Sequence, residues 1–150
     1  MNKPQVLGWR EWISLPELGL PDIKAKVDTG ARTSCLHAFS LEHFEKDGKP
    51  WVRFLVHPHQ QSDEVASCEA PILDERMVTD SGGHREQRPV ISTRIKVGDW
   101  QGTVEMTLTA RDNMKFRMLL GRTAITQGSF LVDPALSYQQ GGQPNPRTPA

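Results

Sequence analysis

The chain has 150 residues, of which 37% are hydrophobic, enough for one core and not for two. Lys plus Arg is 18 and Asp plus Glu is 18, a balance that argues against a general nucleic-acid binder, whose charge is normally basic. No run approaches the roughly 18 apolar residues of a membrane span, the N-terminus lacks the apolar stretch of a signal peptide, and two cysteines are too few for a disulfide scaffold. The expected setting is therefore the cytoplasm, away from membranes, with Cys35 and Cys68 reduced, although a single bridge between them stays open.

In chain order the elements are short strands with almost no helix. Val6-Leu7-Gly8-Trp9 and Trp12-Ile13-Ser14-Leu15 carry apolar positions bounded by Gly and Pro. Residues 23–27, Ile-Lys-Ala-Lys-Val, alternate apolar with charged, the period-two pattern of a half-buried strand. A second strand is expected over 33–36. Residues 51–56 are rich in β-formers and stop before Pro58. Residues 90–97 and 103–109 alternate again and are joined by Gly98-Asp99-Trp100-Gln101-Gly102, which predicts a hairpin. Met118-Leu119-Leu120 is fully apolar, as a strand buried on both faces would be. Residues 122–127 predict one or two helical turns ending at Gly128, and Phe130-Leu131-Val132 a last strand. From residue 139 the chain is polar and rich in Pro and Gly, so residues 1–138 are expected as the domain and 139–150 as a disordered tail. The fold class expected is all-β, a small closed barrel with one short helix.

One segment carries chemistry. Asp28-Thr29-Gly30-Ala31 follows directly on a predicted strand. A carboxylate on a tight turn at a strand end is placed for general acid/base work. Gly30 lets the backbone turn and be approached closely, and the Thr29 hydroxyl can bond neighbouring backbone and hold the loop. The same three residues also make an ordinary Asx-type turn, so the motif alone leaves both readings open.

Order and spacing narrow the choice. The chain resembles the retropepsins, small homodimeric aspartic proteases. In that family an Asp-Thr-Gly loop precedes a glycine-rich flap hairpin and a second hairpin. A hydrophobic strand ending in Gly-Arg, a short helix and a terminal strand then follow. Here the flap corresponds to residues 77–84 with Gly82 and Gly83 at its tip, the second hairpin to 90–109, and the hydrophobic strand to Leu119-Leu120-Gly121-Arg122. The resemblance runs from about residue 23 to 132, with an extra stretch near 42–71. A closer similarity is to a bacterial retropepsin-like group that carries the label ATP-dependent zinc protease. Its pattern looks like Val27-Asp28-Thr29-Gly30-Ala31-Arg32-Thr33-Ser34, then Leu36-His37-Ala38, Arg88-Pro89-Val90-Ile91 and Met118-Leu119-Leu120-Gly121-Arg122. Some members are associated with a RimK-type ligase that adds glutamates to a ribosomal protein. The resemblance implies an aspartic endopeptidase that trims or removes oligoglutamate tails, with Asp28, Thr29 and Gly30 as the catalytic segment. It also implies a homodimer, because the mechanism needs two such carboxylates and the motif occurs once. Were the protein active as a monomer, Asp74, Asp80 and Asp112 would be the candidates for the second.

The label and the residues disagree about metal. His-Glu-x-x-His is absent, and no Gly-x-x-x-x-Gly-Lys-Ser/Thr loop supports ATP binding. Neither metal nor other cofactor is therefore expected. Cys35, His37, His57, His59 and Cys68 remain the side chains a zinc-dependent peptidase would have to use. For a glutamate-rich substrate the candidate anchors are Arg32, Arg88 and Arg122, whose guanidinium groups match carboxylates as a fork, with Gly82 and Gly83 covering from the flap. Arg122 has an equal alternative, pinning the loop structurally. Lys24 and Lys26 read as the solvated face of a strand, and Trp9, Trp12, Trp51 and Trp100 as core or interface residues. The alternative class is a non-catalytic β-barrel interaction module in which Asp28 only caps a turn.

Overall fold

The computed structural model describes residues 5–59, 62–79, 82–110 and 115–142. Its strands in order are β1 (Val6–Leu7), β2 (Arg10–Leu15), β3 (Leu20–Val27), β4 (Ser34–His37), β5 (Ser40–Lys46), β6 (Lys49–Val56), β7 (Ala66–Pro71), β8 (Asp74–Thr79), β9 (Arg85–Val97), β10 (Trp100–Thr109), β11 (Met118–Leu120) and β12 (Leu131–Val132). One α-helix, α1 (Arg122–Gln127), and a 3-10 turn at Pro16–Leu18 complete the described structure. The fold is all-β with one short helix, as the alternating patterns predict.

Six strands pair in a ring, β10–β4–β11–β3–β2–β9, which returns from β9 to β10. The seam between β2 and β9 is thin, a single register pair of Ser14 with Lys96. β8 adds to the free side of β9. β11 is held on both edges, parallel to β3 (Leu120 opposite Val27) and antiparallel to β4 (Leu119 opposite Cys35). That double pairing explains its apolar sequence, but only Met118 and Leu120 are fully buried, and Leu119 faces a cavity instead. The 9–10 hairpin is tighter than predicted. Trp100 already faces Val97, leaving Gly98 and Asp99 as the connection, and Gly98 takes φ +59, where a side chain would be strained.

A separate antiparallel sheet, β5–β6–β7, fills the stretch of which the sequence shows only the central strand. β5 is partly exposed along both faces, so its pattern does not alternate, and β7 turns only Cys68 and Ala70 inward, residues with little β signal. Val52, Phe54, Val56, Cys68 and Ala70 nevertheless join Ile13, Ile23, Leu36, Ile91, Met106 and Leu108 in one continuous core. Both cysteines are free and buried, so the bridge left open by the sequence is not formed. The four tryptophans are partly buried and pack against aromatic neighbours, Trp12 on Tyr138 and Trp100 on Phe130 among them.

The described chain stays attached past residue 138. Glu11, wholly buried, accepts the backbone N–H groups of Gly8 at 2.7 Å, Gln139 at 2.8 Å and Gln140 at 3.0 Å. The first two residues of the expected tail are thus tied to the barrel, and residues 143–150 lie outside the described ones. Among the described residues no helix is long and apolar enough to cross a membrane.

Candidate active site

The strand β3 ends where its partner strand ends. The Asp28 N–H donates to the Leu120 carbonyl at 2.9 Å, the last rung before the two chains part. The loop then closes on its own side chain, with the Gly30 N–H donating to Asp28 Oδ1 at 3.0 Å and the Ala31 N–H to the Asp28 carbonyl at 3.2 Å. This is the Asx-type turn that the motif allows. What holds it is not ordinary turn chemistry. A helix begins with N–H groups that have no intrahelical acceptor, and here the first two of α1 donate to the loop, Arg122 to the Ala31 carbonyl at 2.8 Å and Thr123 to the Arg32 carbonyl at 3.0 Å.

Two further contacts lock loop to helix. The Arg122 Nη1 donates to the Thr29 carbonyl at 2.9 Å and more weakly to that of Gly30 at 3.4 Å. Ser34, fully buried, accepts the Gly121 N–H at 2.9 Å. A Cβ at position 121 would stand 2.6 Å from the Thr33 carbonyl carbon, so glycine is required for this approach. The Leu-Leu-Gly-Arg segment therefore serves the loop by contact, through strand pairing, a bare backbone and a guanidinium. Asp28 is left half-buried, with Thr29 and Gly30 exposed beside it.

The flap residues form the β8–β9 hairpin, in register to Thr79 opposite Arg85. Gly83 has φ +84, and Gly82 and Gly83 are exposed near the tip, while residues 80 and 81 lie outside the described ones. Between the Asp28 loop and this hairpin is a cavity of about 420 Å³, walled by Gly30 and Ala31, by Met77 and Val78 of β8, and by Cys35, Thr107 and Leu119. Arg32, Arg76 and Arg88 also line it, and among the described residues no Asp or Glu does. A second cavity of about 670 Å³ continues from it past Arg32, Thr33 and Arg76 toward Glu105, Thr123 and Gln127.

The three sequence-predicted arginines occupy three different situations. Arg32 is exposed, and its guanidinium has no hydrogen bond or ion pair among the described residues. Arg88 is largely withdrawn from solvent on β9. Arg122 is committed to the loop carbonyls, the structural alternative the sequence left open, and does not line the cavity. Gly82 and Gly83 are also off the cavity wall. Arg76 of the flap hairpin, also on the wall, pairs with Asp74 and Glu105, and the sequence reading missed the wall residues Thr107 and Leu119. Only strand register places these last two, and a lone sequence does not carry it. Of the candidates for a second carboxylate within the chain, Asp74 is in that pair, and Asp80 and Asp112 lie outside the described residues.

The residues considered for metal are dispersed. His57 stacks on Phe39 with ring centres 4.3 Å apart, and His59 lies between Asp22 at 2.9 Å and Glu64 at 3.1 Å. The His37 Nδ1 is 3.1 Å from the Phe116 carbonyl, and burial lowers its pKa against that contact. Burial pushes the Cys35 thiol up, opposed by its bond with Thr107 and the Arg88 charge. Among the described residues no group of three His, Cys, Asp or Glu side chains is arranged to hold a metal ion.

A family model described as retropepsin-like aspartic endopeptidase RimB matches residues 6–143. Curated relatives include proteins named probable alpha-L-glutamate ligase from Shewanella halifaxensis, 45% identical over 92% of this chain, and from Desulfotalea psychrophila, 44% identical over 91%. The chain spans 30% of the length of each of these two relatives. A crystal structure of a Legionella pneumophila protein of unknown function superposes with a TM-score of 0.77 at 32% identity, covering 92% of this chain and 99% of that one.

Proposed function

The chain belongs to the RimB-like family of retropepsin-like aspartic endopeptidases, and from that premise we propose that it hydrolyses peptide bonds in glutamate-rich protein tails with Asp28 as the catalytic carboxylate. The observation that carries this reading is one juxtaposition. A rigidly braced Asp-Thr-Gly loop, through Gly30, and a flap hairpin wall a cavity whose charged lining, among the described residues, is all arginine. The glutamate ligase name of the curated relatives supports the substrate class, since a tail built by such an enzyme is a dense array of carboxylates.

Catalysis then follows from pairing two carboxylates. Two copies of the chain related by a two-fold axis bring two Asp28 side chains to about 3 Å, where both cannot ionise cheaply and one keeps its proton. The ionised partner takes a proton from water as that water attacks the scissile carbonyl. The neutral partner donates its hydrogen bond to the carbonyl oxygen and stabilises the charge that develops there. The titration belongs to the pair and not to either residue. Asp28 Oδ1 already accepts from the Gly30 N–H, which fixes the carboxylate's orientation before substrate arrives.

The relatives' ligase name also favours a second reading, a non-catalytic module that presents tails to a ligase region. Incubation with a glutamate-tailed peptide, read by mass spectrometry, separates the two. The peptidase reading expects shortened peptide from the unmutated chain and intact peptide from a folded Asp28→Asn variant. Peptide bound and returned intact by both proteins would establish the module instead.

A further inference from the structure

Arg88 lines the cavity as a buried guanidinium whose hydrogen bonds the fold leaves incomplete. Its side chain is 11% exposed, and its Nη1 donates only to the soft Cys35 Sγ at 3.5 Å. The buried Nε has no hydrogen-bond partner among the described residues. The Glu86 carboxylate, which also accepts from the Thr109 hydroxyl at 2.9 Å, forms an ion pair with that Nε at 3.4 Å without a well-formed hydrogen bond to it. A buried donor without a hydrogen-bond acceptor is costly, and Arg88 lines a cavity that, among the described residues, no Asp or Glu lines. The other wall arginines differ: Arg76 is taken up by Asp74 and Glu105, and Arg32 is exposed.

We propose that Arg88 is the specificity-determining residue of the site, reading the side-chain carboxylate of a single glutamate that enters the cavity beside the Asp28 loop. This rests on the reading of the chain as a peptidase for glutamate-rich tails, and it divides the labour among the arginines. Arg88 selects one side chain at one position, because it is withdrawn from solvent and its planar fork fits a carboxylate in a fixed orientation. Arg32, exposed beside the cavity, attracts the tail by charge without regard to position, an effect that salt screens. Arg122 acts on neither and braces the loop.

The test is a positional scan. In a glutamate peptide each Glu is replaced in turn by Gln, which keeps shape and removes charge, and kcat/KM is measured for the unmutated protein and for Arg88→Gln and Arg88→Lys. In the unmutated protein one position should carry a penalty of roughly tenfold to hundredfold, the worth of a hydrogen bond to a charged group. Arg88→Gln should abolish that penalty at that position alone, and Arg88→Lys should retain part of it, since an ammonium cannot reproduce the fork. Where Arg88→Gln fails to fold, the unmutated scan and Arg88→Lys decide the matter. A scan in which every position tolerates Gln equally, or an Arg88→Gln that slows all peptides by one factor, would overturn the proposal. If cleavage then still requires Asp28, the peptidase reading stands while the role of Arg88 falls; if no glutamate-rich peptide is cut at all, both fall.

Discussion

Replacing Arg122 by Ala separates a bracing residue from a substrate anchor. The guanidinium makes one good hydrogen bond, 2.9 Å to the Thr29 carbonyl, and one at the edge of useful range, 3.4 Å to that of Gly30. A charged donor to a carbonyl is worth about 1.5 to 3 kcal/mol where it is shielded, but Arg122 is exposed and water competes for it. The net loss should be about 1 kcal/mol, which lowers the ratio of braced to unbraced loop about fivefold. The backbone bonds from Arg122 and Thr123 to the loop survive the substitution, so the fold should survive too. Urea unfolding measures the stability, and kcat/KM on matched acidic and neutral peptides measures the consequence. Both peptides should slow by the same factor. If the acidic peptide alone slows while stability is unchanged, Arg122 holds substrate and the bracing argument is wrong.

Three other outcomes are expected. Ser34→Ala leaves the buried Gly121 N–H without its acceptor and should cost about 1 to 3 kcal/mol by denaturant titration, with activity falling alongside; an unchanged midpoint would show that water replaces the hydroxyl. Burial raises the Cys68 thiol from its ordinary 9.0 to about 11, so the unfolded chain ionises first. Its stabilising share, on the order of 2 to 3 kcal/mol, should be intact below pH 9 and lost between pH 9 and 11. Cys68→Ala should flatten that loss in urea titrations at pH 8 and 10.5, and an equally steep loss in the variant would assign it elsewhere. If two Asp28 carboxylates form one site, activity per chain should fall on dilution as dimers dissociate, and undiminished activity from a strictly monomeric protein would refute the shared dyad.

The sequence reveals some parts of the site and conceals others for identifiable reasons. Alternation locates β3, β9 and β10, because each buries one face, and Gly128 marks the end of α1. The Asp28 loop is legible because its residues are contiguous and their order relative to Leu119-Leu120-Gly121-Arg122 is distinctive. β5 and β7 are not legible, since neither combines β-forming residues with a clean period of two. The division among arginines is also hidden. Arg32, Arg88 and Arg122 look alike in one dimension, and only register and the start of α1 show that one is exposed, one is enclosed and one is engaged with backbone. The reach of the ordered chain past 138 rests on partners far away in sequence, Glu11 at separations of 128 and 129 and the Val6 carbonyl at 134, contacts that tail composition cannot reveal.

The one-pair seam at Ser14 and Lys96 has a consequence for how the molecule breathes. Opening a sheet at its weakest junction costs the fewest hydrogen bonds, so amide exchange should begin along the β2–β9 border, well before the global unfolding limit. The pairings that define the Asp28 loop run through β3, β11 and β4, and the flap grows from the other edge of β9 onto β8. A ring that opens at this border separates neither set of pairings. The barrel can therefore fluctuate between a ring and an open sheet while the loop keeps its shape, and the slow-exchanging amides of residues 118–121 should stay protected throughout those openings.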